Sequence, residues 1–201
     1  MVSPDNKNVY VSAFASDCIV YWTRDLTTGF LTNKIMLQDR QWGPRNVVIS
    51  PNGKHLYASV KGGNIAIFDR NAADGSLSFR NTITSNLQYF WVYISPDGKH
   101  VYGLGHRQST IKHWTRNIDS GGLSNPVTDV IDNVNLGYCK SGGNGGMCGD
   151  NGHHPYGYES IPKGLIVSPT GNNVYAVGYG SNSIVSWARE SNDGRLSEKG
   201  E

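Results

Sequence analysis

Short runs of alternating apolar and polar residues extend along the chain and are separated by turns rich in glycine, proline and asparagine. The stretch 64–68 (NIAIF), for example, is soon followed by an Ala-Asp-Gly turn at 73–75. Alternation with a period of two is typical of β-strands with one buried face. Turn residues recur roughly every 8–12 positions, which excludes a helical solenoid. The pattern therefore predicts an all-β protein.

The same set of landmarks occurs four times along the chain. A Ser-Pro turn is followed by a tyrosine seven positions after its serine, then by an arginine, and a leucine lies seven positions after each arginine. Successive arginines are separated by 46, 46 and 73 residues, so the last interval carries 27 extra residues. The tyrosines are Tyr10, Tyr57, Tyr102 and Tyr175, the arginines are Arg24, Arg70, Arg116 and Arg189, and the leucines are Leu31, Leu77, Leu123 and Leu196.

Each repeat unit predicts four short strands. In the second unit these are 46–49, 55–60, 64–68 and a strand that opens at 76–80. Four strands in roughly 45 residues is the period of a β-propeller blade. We therefore predict a β-propeller of four-stranded antiparallel blades, with the four tyrosines in equivalent second strands. A repeating β-sandwich is the alternative.

The repeat divides the chain into approximately 1–40 for blade 1, 41–86 for blade 2, 87–130 for blade 3, an inserted loop at 131–163, and 164–201 for blade 4. The first unit begins inside an inner strand, and the last stops soon after its outer strand begins. Uncovered terminal blades would expose apolar faces and an unpaired edge. We therefore expect about four blades of a larger ring, completed by further blades, a second copy or other subunits.

Three stretches of the repeat resemble a known family. They are ISPDGKHVY at 94–102, SNSIV at 181–185 and an aromatic-Arg pair with Thr-Gly-x-Leu at 28–31. They resemble the lactonase-type seven-bladed propellers, which include 6-phosphogluconolactonase-like proteins, and are similar to surface-layer-type repeats. The resemblance covers nearly the whole chain except 126–163. It implies about seven blades and hydrolysis by acid–base and basic residues around the central channel, but it transfers no catalytic residue.

Composition and charge exclude some functions. The formal net charge is +2, with both signs mixed along the chain, so no basic stripe indicates a nucleic-acid partner. No apolar run approaches the roughly 18 residues of a membrane span, and the chain shows no signal peptide. No cofactor is expected. A calcium ion at 150–152 (Asp-Asn-Gly) stays open, although the spacing of an EF-hand is missing.

The three cysteines bear on the compartment. Cys139 and Cys148 flank a glycine-rich loop, whereas Cys18 stands alone in a strand pattern. A Cys139–Cys148 disulfide would hold the loop and imply an oxidising compartment, so we expect an extracellular or cell-surface location. Three free thiols are the alternative, and the spacing disfavours a zinc pair.

The 27 extra residues fall in the connection 125–163, between an outer strand and the next inner strand. Such connections share a face with the turns between second and third strands, around the mouth of the channel. Adjacent histidines on an extended segment point opposite ways, so no metal site is expected there. The residues predicted for a ligand or partner face are His106, Arg107, Lys61, His153, His154, Tyr156 and Tyr158.

Two repeated residue types need a structural interpretation. An aromatic residue at one register in every unit suits a packing layer between blades better than a ladder for stacking sugars. The repeated arginines are expected to tie strand ends to turn carboxylates such as Asp25 and Glu190. The aromatic residues are Trp22, Phe68, Trp114 and Trp187.

Strong scaffold signals without a catalytic motif favour a non-catalytic propeller used as an interaction or structural module. The sequence holds no Ser-His-Asp order, no glycine-rich phosphate loop and no paired-carboxylate motif. A lactonase-like hydrolase acting on a sugar lactone is the first alternative, and a carbohydrate-binding propeller is the second.

Overall fold

The structure, a computed structural model, describes residues 1–87, 91–105, 110–129, 162–178 and 183–198. In these ranges the chain is built from β-strands and one turn of 3₁₀ helix, Phe14–Ser16. The first sheet contains β1 (Asn8–Ala13), β2 (Cys18–Arg24) and β3 (Leu31–Gln38). The second contains β4 (Asn46–Ile49), β5 (His55–Val60), β6 (Asn64–Arg70) and β7 (Leu77–Thr84). The third contains β8 (Trp91–Ile94), β9 (His100–Gly105), β10 (Thr110–Arg116) and β11 (Leu123–Asp129), and the fourth contains β12 (Pro162–Val167), β13 (Asn173–Gly178), β14 (Ser183–Arg189) and β15 (Leu196–Glu198).

Each sheet is a blade in which every strand pairs antiparallel with the next strand in the chain. Three sheets have four strands and the first has three, and an isolated bridge from Val2 to Val9 marks the inner edge of blade 1. The predicted all-β propeller fold is confirmed. The four repeated tyrosines occupy the second strand of their blades, on β1, β5, β9 and β13, so the predicted register is confirmed.

The turn between the first two strands of a blade is closed by the Ser-Pro-x-Gly sequence. In blade 2, the Ser50 hydroxyl donates to Asn52 at 2.7 Å and accepts from the His55 N–H at 3.0 Å. Gly53 follows with a φ of 71°, a left-handed conformation that glycine adopts without steric cost. The repeated motif therefore fixes where each inner strand turns back.

The hydrophobic core lies between neighbouring blades. Tyr10 and Ile19 of blade 1, for example, pack in one cluster with Leu56 and Phe68 of blade 2, and two further clusters lie between blades 2 and 3 and between blades 3 and 4. Three of the four repeated aromatic residues belong to these layers, because Phe68, Trp114 and Trp187 are buried, whereas Trp22 is half-buried and lies in none of the three clusters. The packing interpretation therefore holds for these three residues, which are not available to stack against sugars.

The repeated arginines join each blade to the one before it. Arg70 reaches from β6 into blade 1, where its Nε donates to the Tyr10 hydroxyl at 2.8 Å and its Nη2 lies 2.9 Å from Asp5. Its Nη1 donates to the carbonyl oxygen of Gly53, in its own blade, at 3.1 Å. Nη2 of Arg189 likewise lies 2.9 Å from Asp97 of blade 3. Both arginines thus meet a turn carboxylate, as expected, but it belongs to the preceding blade, and the expected pairing of Arg189 with Glu190 is wrong.

The same arrangement holds the other two interfaces. Arg116 donates from Nε to the Tyr57 hydroxyl at 2.6 Å, and Arg189 donates to the Tyr102 hydroxyl at 2.8 Å. Each tyrosine hydroxyl in turn donates to a glycine carbonyl of the following blade, as from Tyr57 to Gly121 at 2.8 Å. We call each arginine with its tyrosine in the preceding blade an arginine lock; the three pairs are Arg70–Tyr10, Arg116–Tyr57 and Arg189–Tyr102.

One more residue completes each lock. In blade 1 it is Asn8, whose Oδ1 accepts from Nη2 of Arg70 at 2.7 Å. In blades 2 and 3 it is a histidine, and Nδ1 of His55 and His100 lies 2.8 and 2.6 Å from Nη2 of the locking arginine. Burial, followed by the neighbouring arginine, lowers the pKa of each histidine to about 4. Both imidazoles are therefore neutral near pH 7, and their Nδ1 atoms accept a hydrogen bond from the arginine.

Gly121 is expected to tolerate no side chain, because it rests on the lock of the preceding blade. Its φ is 69°, and an added Cβ would overlap the buried ring of His55. We expect Gly121→Ala to lower the free energy of unfolding by about 2 kcal/mol, from backbone strain and the displaced ring together. Gly62→Ala is the control, since its φ is 75° but a Cβ would meet only the flexible amide of Asn64. Equal urea midpoints for the two variants would contradict the contact with His55.

Candidate functional site

The antiparallel order of strands gives the propeller two distinct faces. The locks lie at one end of the blades, beside the Ser-Pro turns. The opposite end carries the turns between second and third strands and the connections from one blade to the next. We call this second end the upper face; the described segments that form it are 13–18, 39–45, 61–63 and 85–87. In propellers such loops surround the channel mouth, where ligands bind.

The connection 39–45 brings three segments of the upper face together by backbone hydrogen bonds. The Asp39 N–H donates to the carbonyl of Asp17, in the turn of blade 1, at 3.1 Å. The carbonyl of Trp42 accepts from the Lys61 N–H, in the turn of blade 2, at 2.7 Å. Side chains on these segments are therefore held side by side at the first inter-blade boundary.

Cationic groups gather around Phe14 at this boundary. The Arg45 guanidinium carbon lies 4.2 Å from the centre of the Phe14 ring, and Lys61 Nζ lies 5.9 Å from it. Lys61 Nζ is also 2.5 Å from Asp17 and 3.4 Å from the carbonyl oxygen of Arg40. A cation over an aromatic face is held there by its attraction to the ring electrons. We call Arg40, Arg45 and Lys61 the basic cluster.

A fourth cation lies at the next boundary. Lys112, near the start of β10, donates from Nζ to the carbonyl of Ser85 at 2.8 Å, and the Ser85 hydroxyl donates to Gly63 at 2.6 Å. Asn46 joins the inner strands of blades 2 and 3 by exchanging two hydrogen bonds with the Val92 backbone, at 2.8 and 2.9 Å. The described part of the upper face is therefore polar and carries a cation at the boundary between blades 2 and 3 as well.

The charges of the two faces differ. On the upper face, the described side chains are four cations (the basic cluster and Lys112) and two carboxylates, Asp17 and Asp39. The other carboxylates whose side chains the structure describes belong to the lower turns or the strand ends beside them; they are Asp5, Asp25, Asp69, Asp74, Asp97, Asp119, Glu190 and Asp193. This part of the upper face therefore attracts anions.

Of the predicted ligand-face residues, the structure places one. Lys61 lies on the upper face, in the turn between β5 and β6, paired with Asp17. The remaining predicted residues lie outside the described ranges; they are His106, Arg107, His153, His154, Tyr156, Tyr158, Cys139, Cys148 and the candidate calcium ligands at 150–152. The disulfide and the extracellular location that it would imply stay predictions. Cys18 is a buried free thiol.

Sequence reasoning missed the basic cluster except for Lys61. Arg45 immediately precedes the inner strand β4, and Asp17 closes the turn before β2. Arg45 could have been recognised by its position in the repeat. In a propeller, the residue before an inner strand lies on the same face as the turns between second and third strands.

Within the described ranges, no three or more His, Cys, Asp or Glu side chains are grouped so as to hold a metal ion. In the same part of the chain, no helix has the length and apolar character needed to cross a bilayer.

The comparisons with known proteins point to one family. The family model described as "Lactonase, 7-bladed beta-propeller" matches residues 1–93 and 39–134, so 134 of the 201 residues. The chain is 24% identical over 211 residues to 6-phosphogluconolactonase of Klebsiella pneumoniae (strain 342), covering 99% of this chain and 55% of that protein. The chain thus spans about half the length of this relative.

Two solved structures share the fold. A candidate 6-phosphogluconolactonase from Bacteroides uniformis ATCC 8492 matches with a TM-score of 0.73 and 21% identity, over 99% of this chain and 52% of that one. The periplasmic gluconolactonase of Pseudomonas aeruginosa matches with a TM-score of 0.69 and 16% identity, over 100% of this chain and 52% of that one. At these identities the likeness shows the fold alone.

These findings correct the expected function. The favoured interpretation, a non-catalytic interaction or structural module, is wrong, because the relatives and structural neighbours bear the names of lactone hydrolases. The scaffold residues dominate the repeat because they build every blade, so their prominence said nothing about chemistry at the channel mouth.

Proposed function

Because the chain belongs to the lactonase family of seven-bladed β-propellers, we propose that its blades form part of an enzyme that hydrolyses an anionic sugar lactone on the upper face. The family supplies the reaction class. The upper face supplies the preference for an anion, because its described side chains include four cations and only two carboxylates. This excess of cations is the observation that carries the proposal, and a phosphorylated lactone is the substrate class that it fits.

Hydrolysis of a lactone requires few catalytic groups. A water oxygen attacks the lactone carbonyl, a C–O bond forms, and the carbonyl oxygen becomes an oxyanion. When the oxyanion collapses, the bond to the ring oxygen breaks, the ring oxygen takes up a proton, and the acid product ionises. Groups that hold positive charge near the oxyanion lower the barrier, and a second anchor for the substrate phosphate fixes the lactone in place.

Arg45 is the described residue best suited to hold the phosphate. Its planar guanidinium stacks on Phe14 at 4.2 Å, which fixes its orientation, and a guanidinium matches the geometry of phosphate oxygens in a bidentate contact. Lys61 adds a point charge beside it. Lys61 is paired with Asp17 at 2.5 Å, and the negative charge of Asp17 weakens the attraction between Lys61 and an anionic ligand.

We expect Arg45→Gln to raise the KM for 6-phosphogluconolactone by about 10–100-fold, since a hydrogen bond between charged groups is lost. For uncharged gluconolactone the change should stay within about threefold. Steady-state hydrolysis of both lactones measures the difference. Lys34→Gln, on the exposed outer strand β3, is the control for loss of one positive charge. Equal losses on both substrates would contradict phosphate binding by Arg45.

Asp17→Asn tests the same site in the opposite direction. Asp17 has a φ of 51°, a conformation that asparagine also adopts, so the turn is expected to persist. With its carboxylate gone, Lys61 keeps its full charge for the ligand, and the KM for the phosphorylated lactone should fall. An unchanged or higher KM would mean that Lys61 takes no part in binding.

A further inference from the structure

We propose that Gly43 determines how strongly the upper face prefers an anion, by positioning the ammonium group of Lys61. This inference rests on the proposed function, because it concerns the same basic cluster, but it adds a residue that carries no charge itself. Gly43 lies in the connection 39–45, two residues before Arg45, and its backbone is in contact with the Lys61 side chain. It acts through Lys61 and is therefore a positioning residue.

The backbone of Gly43 is held in place by the residues on either side of it. Trp42 is buried and packs in the apolar cluster between blades 1 and 2. The carbonyl oxygen of Trp42 accepts from the Lys61 N–H at 2.7 Å. On the other side, the Arg45 N–H donates to the carbonyl oxygen of Ser59 at 2.9 Å. Gly43 is thus fixed between two hydrogen-bonded attachments to blade 2.

The stem of Lys61 occupies the space that a side chain at position 43 would need. A Cβ added to Gly43 would lie 2.8 Å from Cγ and 2.9 Å from Cδ of Lys61, and closer still to Cε. Carbon atoms that are not bonded to each other prefer separations of about 3.5–4.0 Å. The lysine stem therefore lies directly on the backbone of Gly43, and only a residue without a Cβ permits this path.

The path of the stem decides where the ammonium group lies. Nζ of Lys61 reaches Asp17 at 2.5 Å and lies 5.9 Å from the centre of the Phe14 ring, on which Arg45 also stacks. The Lys61 side chain is still 44% exposed, so an anion can reach it. Two positive charges beside one ring attract a phosphate more strongly than either charge alone. By fixing the stem, Gly43 keeps these two cations together.

Alanine at position 43 is expected to displace the lysine side chain and to leave the backbone in place. The atoms that its Cβ would meet belong to the flexible stem of Lys61. The φ of Gly43 is 41°, a left-handed value at which alanine lowers stability modestly. The variant should therefore fold, with the ammonium group of Lys61 moved away from Asp17 and Arg45.

Competitive acetylation read by peptide mass spectrometry tests this contact without a substrate. Lys61 must leave Asp17 before it reacts, so Gly43→Ala should raise its labelling rate, relative to the other lysines, about two- to fivefold. Gly29→Ala is the matched control: Gly29 has a left-handed φ of 77°, but its added Cβ would lie 3.7 Å from the nearest atom, in Arg24. An unchanged labelling rate for Lys61 in Gly43→Ala would overturn the proposal.

Steady-state kinetics on the two lactones tests the consequence for specificity. We expect Gly43→Ala to raise the KM for 6-phosphogluconolactone about three- to tenfold, with kcat and the KM for gluconolactone changed by less than about twofold. The increase should disappear in a Lys61→Met background, because the ammonium group that Gly43 positions is then absent. An equal increase in that background would show that Gly43 acts through another group, and the proposal would be wrong.

The labelling experiment also separates this inference from the proposed function. A wild-type protein that hydrolysed neither lactone would refute the proposed function, whereas the labelling rates would still decide whether Gly43 positions Lys61 for an anion. Inorganic phosphate is then the probe, and it should slow the acetylation of Lys61 in the wild type more than in Gly43→Ala. Equal effects of phosphate on the two proteins would overturn the proposal.

Discussion

Replacing Arg70 with methionine is expected to lower the free energy of unfolding by about 3–5 kcal/mol, measured by urea denaturation at pH 7. The Arg70 side chain is buried and joins blade 2 to three groups of blade 1: the Tyr10 hydroxyl, the Asp5 carboxylate and the Asn8 amide. Methionine fills similar space but leaves the buried Asn8 oxygen and the Gly53 carbonyl without their donor. The interface therefore loses the hydrogen bonds that Arg70 makes and keeps its volume.

Arg195→Met is the matched control. Arg195 pairs with Asp193 at 3.4 Å, but both side chains are largely exposed, so its loss should change stability by less than about 0.5 kcal/mol. If Arg70→Met also cost less than about 1 kcal/mol, the lock would be a by-product of apolar packing and would not hold the blades together.

The strands and their register could be predicted from the sequence because each strand and turn is determined by residues that are close together in the chain. Alternation marks the strands, and Ser50-Pro51-Asn52-Gly53 marks the turn between two of them. The partner of Arg70 could not be predicted in the same way. It is Asp5, which lies 65 residues earlier. The repeat pattern gave no reason to prefer Asp5 over a carboxylate in the turn that follows the arginine. Only the packing of one blade on the next decides which carboxylate an arginine meets.

The candidate site could be predicted only in part, for a related reason. Repeats reveal what all blades share, whereas a ligand site uses what one blade has alone. Lys61 was found because it stands in a turn whose face the topology defines. Arg45 and Phe14 belong to no repeated motif, and their contact at 4.2 Å joins different blades. Such a pair becomes visible once the connection 39–45 is folded onto its neighbours.

Acid is expected to weaken the protein between about pH 6.5 and 4, with a loss of up to about 3 kcal/mol for each of His55 and His100. The pKa of both histidines falls from 6.5 in the unfolded chain to about 4 in the fold, first because they are buried and then because Arg116 or Arg189 lies beside them. In this pH window the unfolded chain binds more protons than the folded one, so stability falls as the pH falls.

The carboxylates of the locks act at lower pH. Burial raises the pKa of Asp5, but hydrogen bonds from Ser3, Arg70 and the Lys7 backbone outweigh it and lower the pKa from 3.8 to about 2. The stability that Asp5 contributes is therefore present above about pH 4 and lost as the pH falls towards 2. Among the described groups whose pKa is shifted, the two lock histidines are expected to set the slope of stability against pH between 6.5 and 4.

Asparagine at both histidine positions is expected to remove that slope. Blade 1 already uses Asn8 there, with its Oδ1 2.7 Å from the locking arginine, so the fold accepts an uncharged acceptor that does not titrate. The double variant His55→Asn, His100→Asn should show urea midpoints that are nearly constant from pH 6.5 to 4, even if its stability at pH 7 is lower by about 1–2 kcal/mol from the smaller side chains. A wild-type slope in the double variant would mean that other groups titrate in this range and that the lock histidines are not the acid-sensitive elements of the fold.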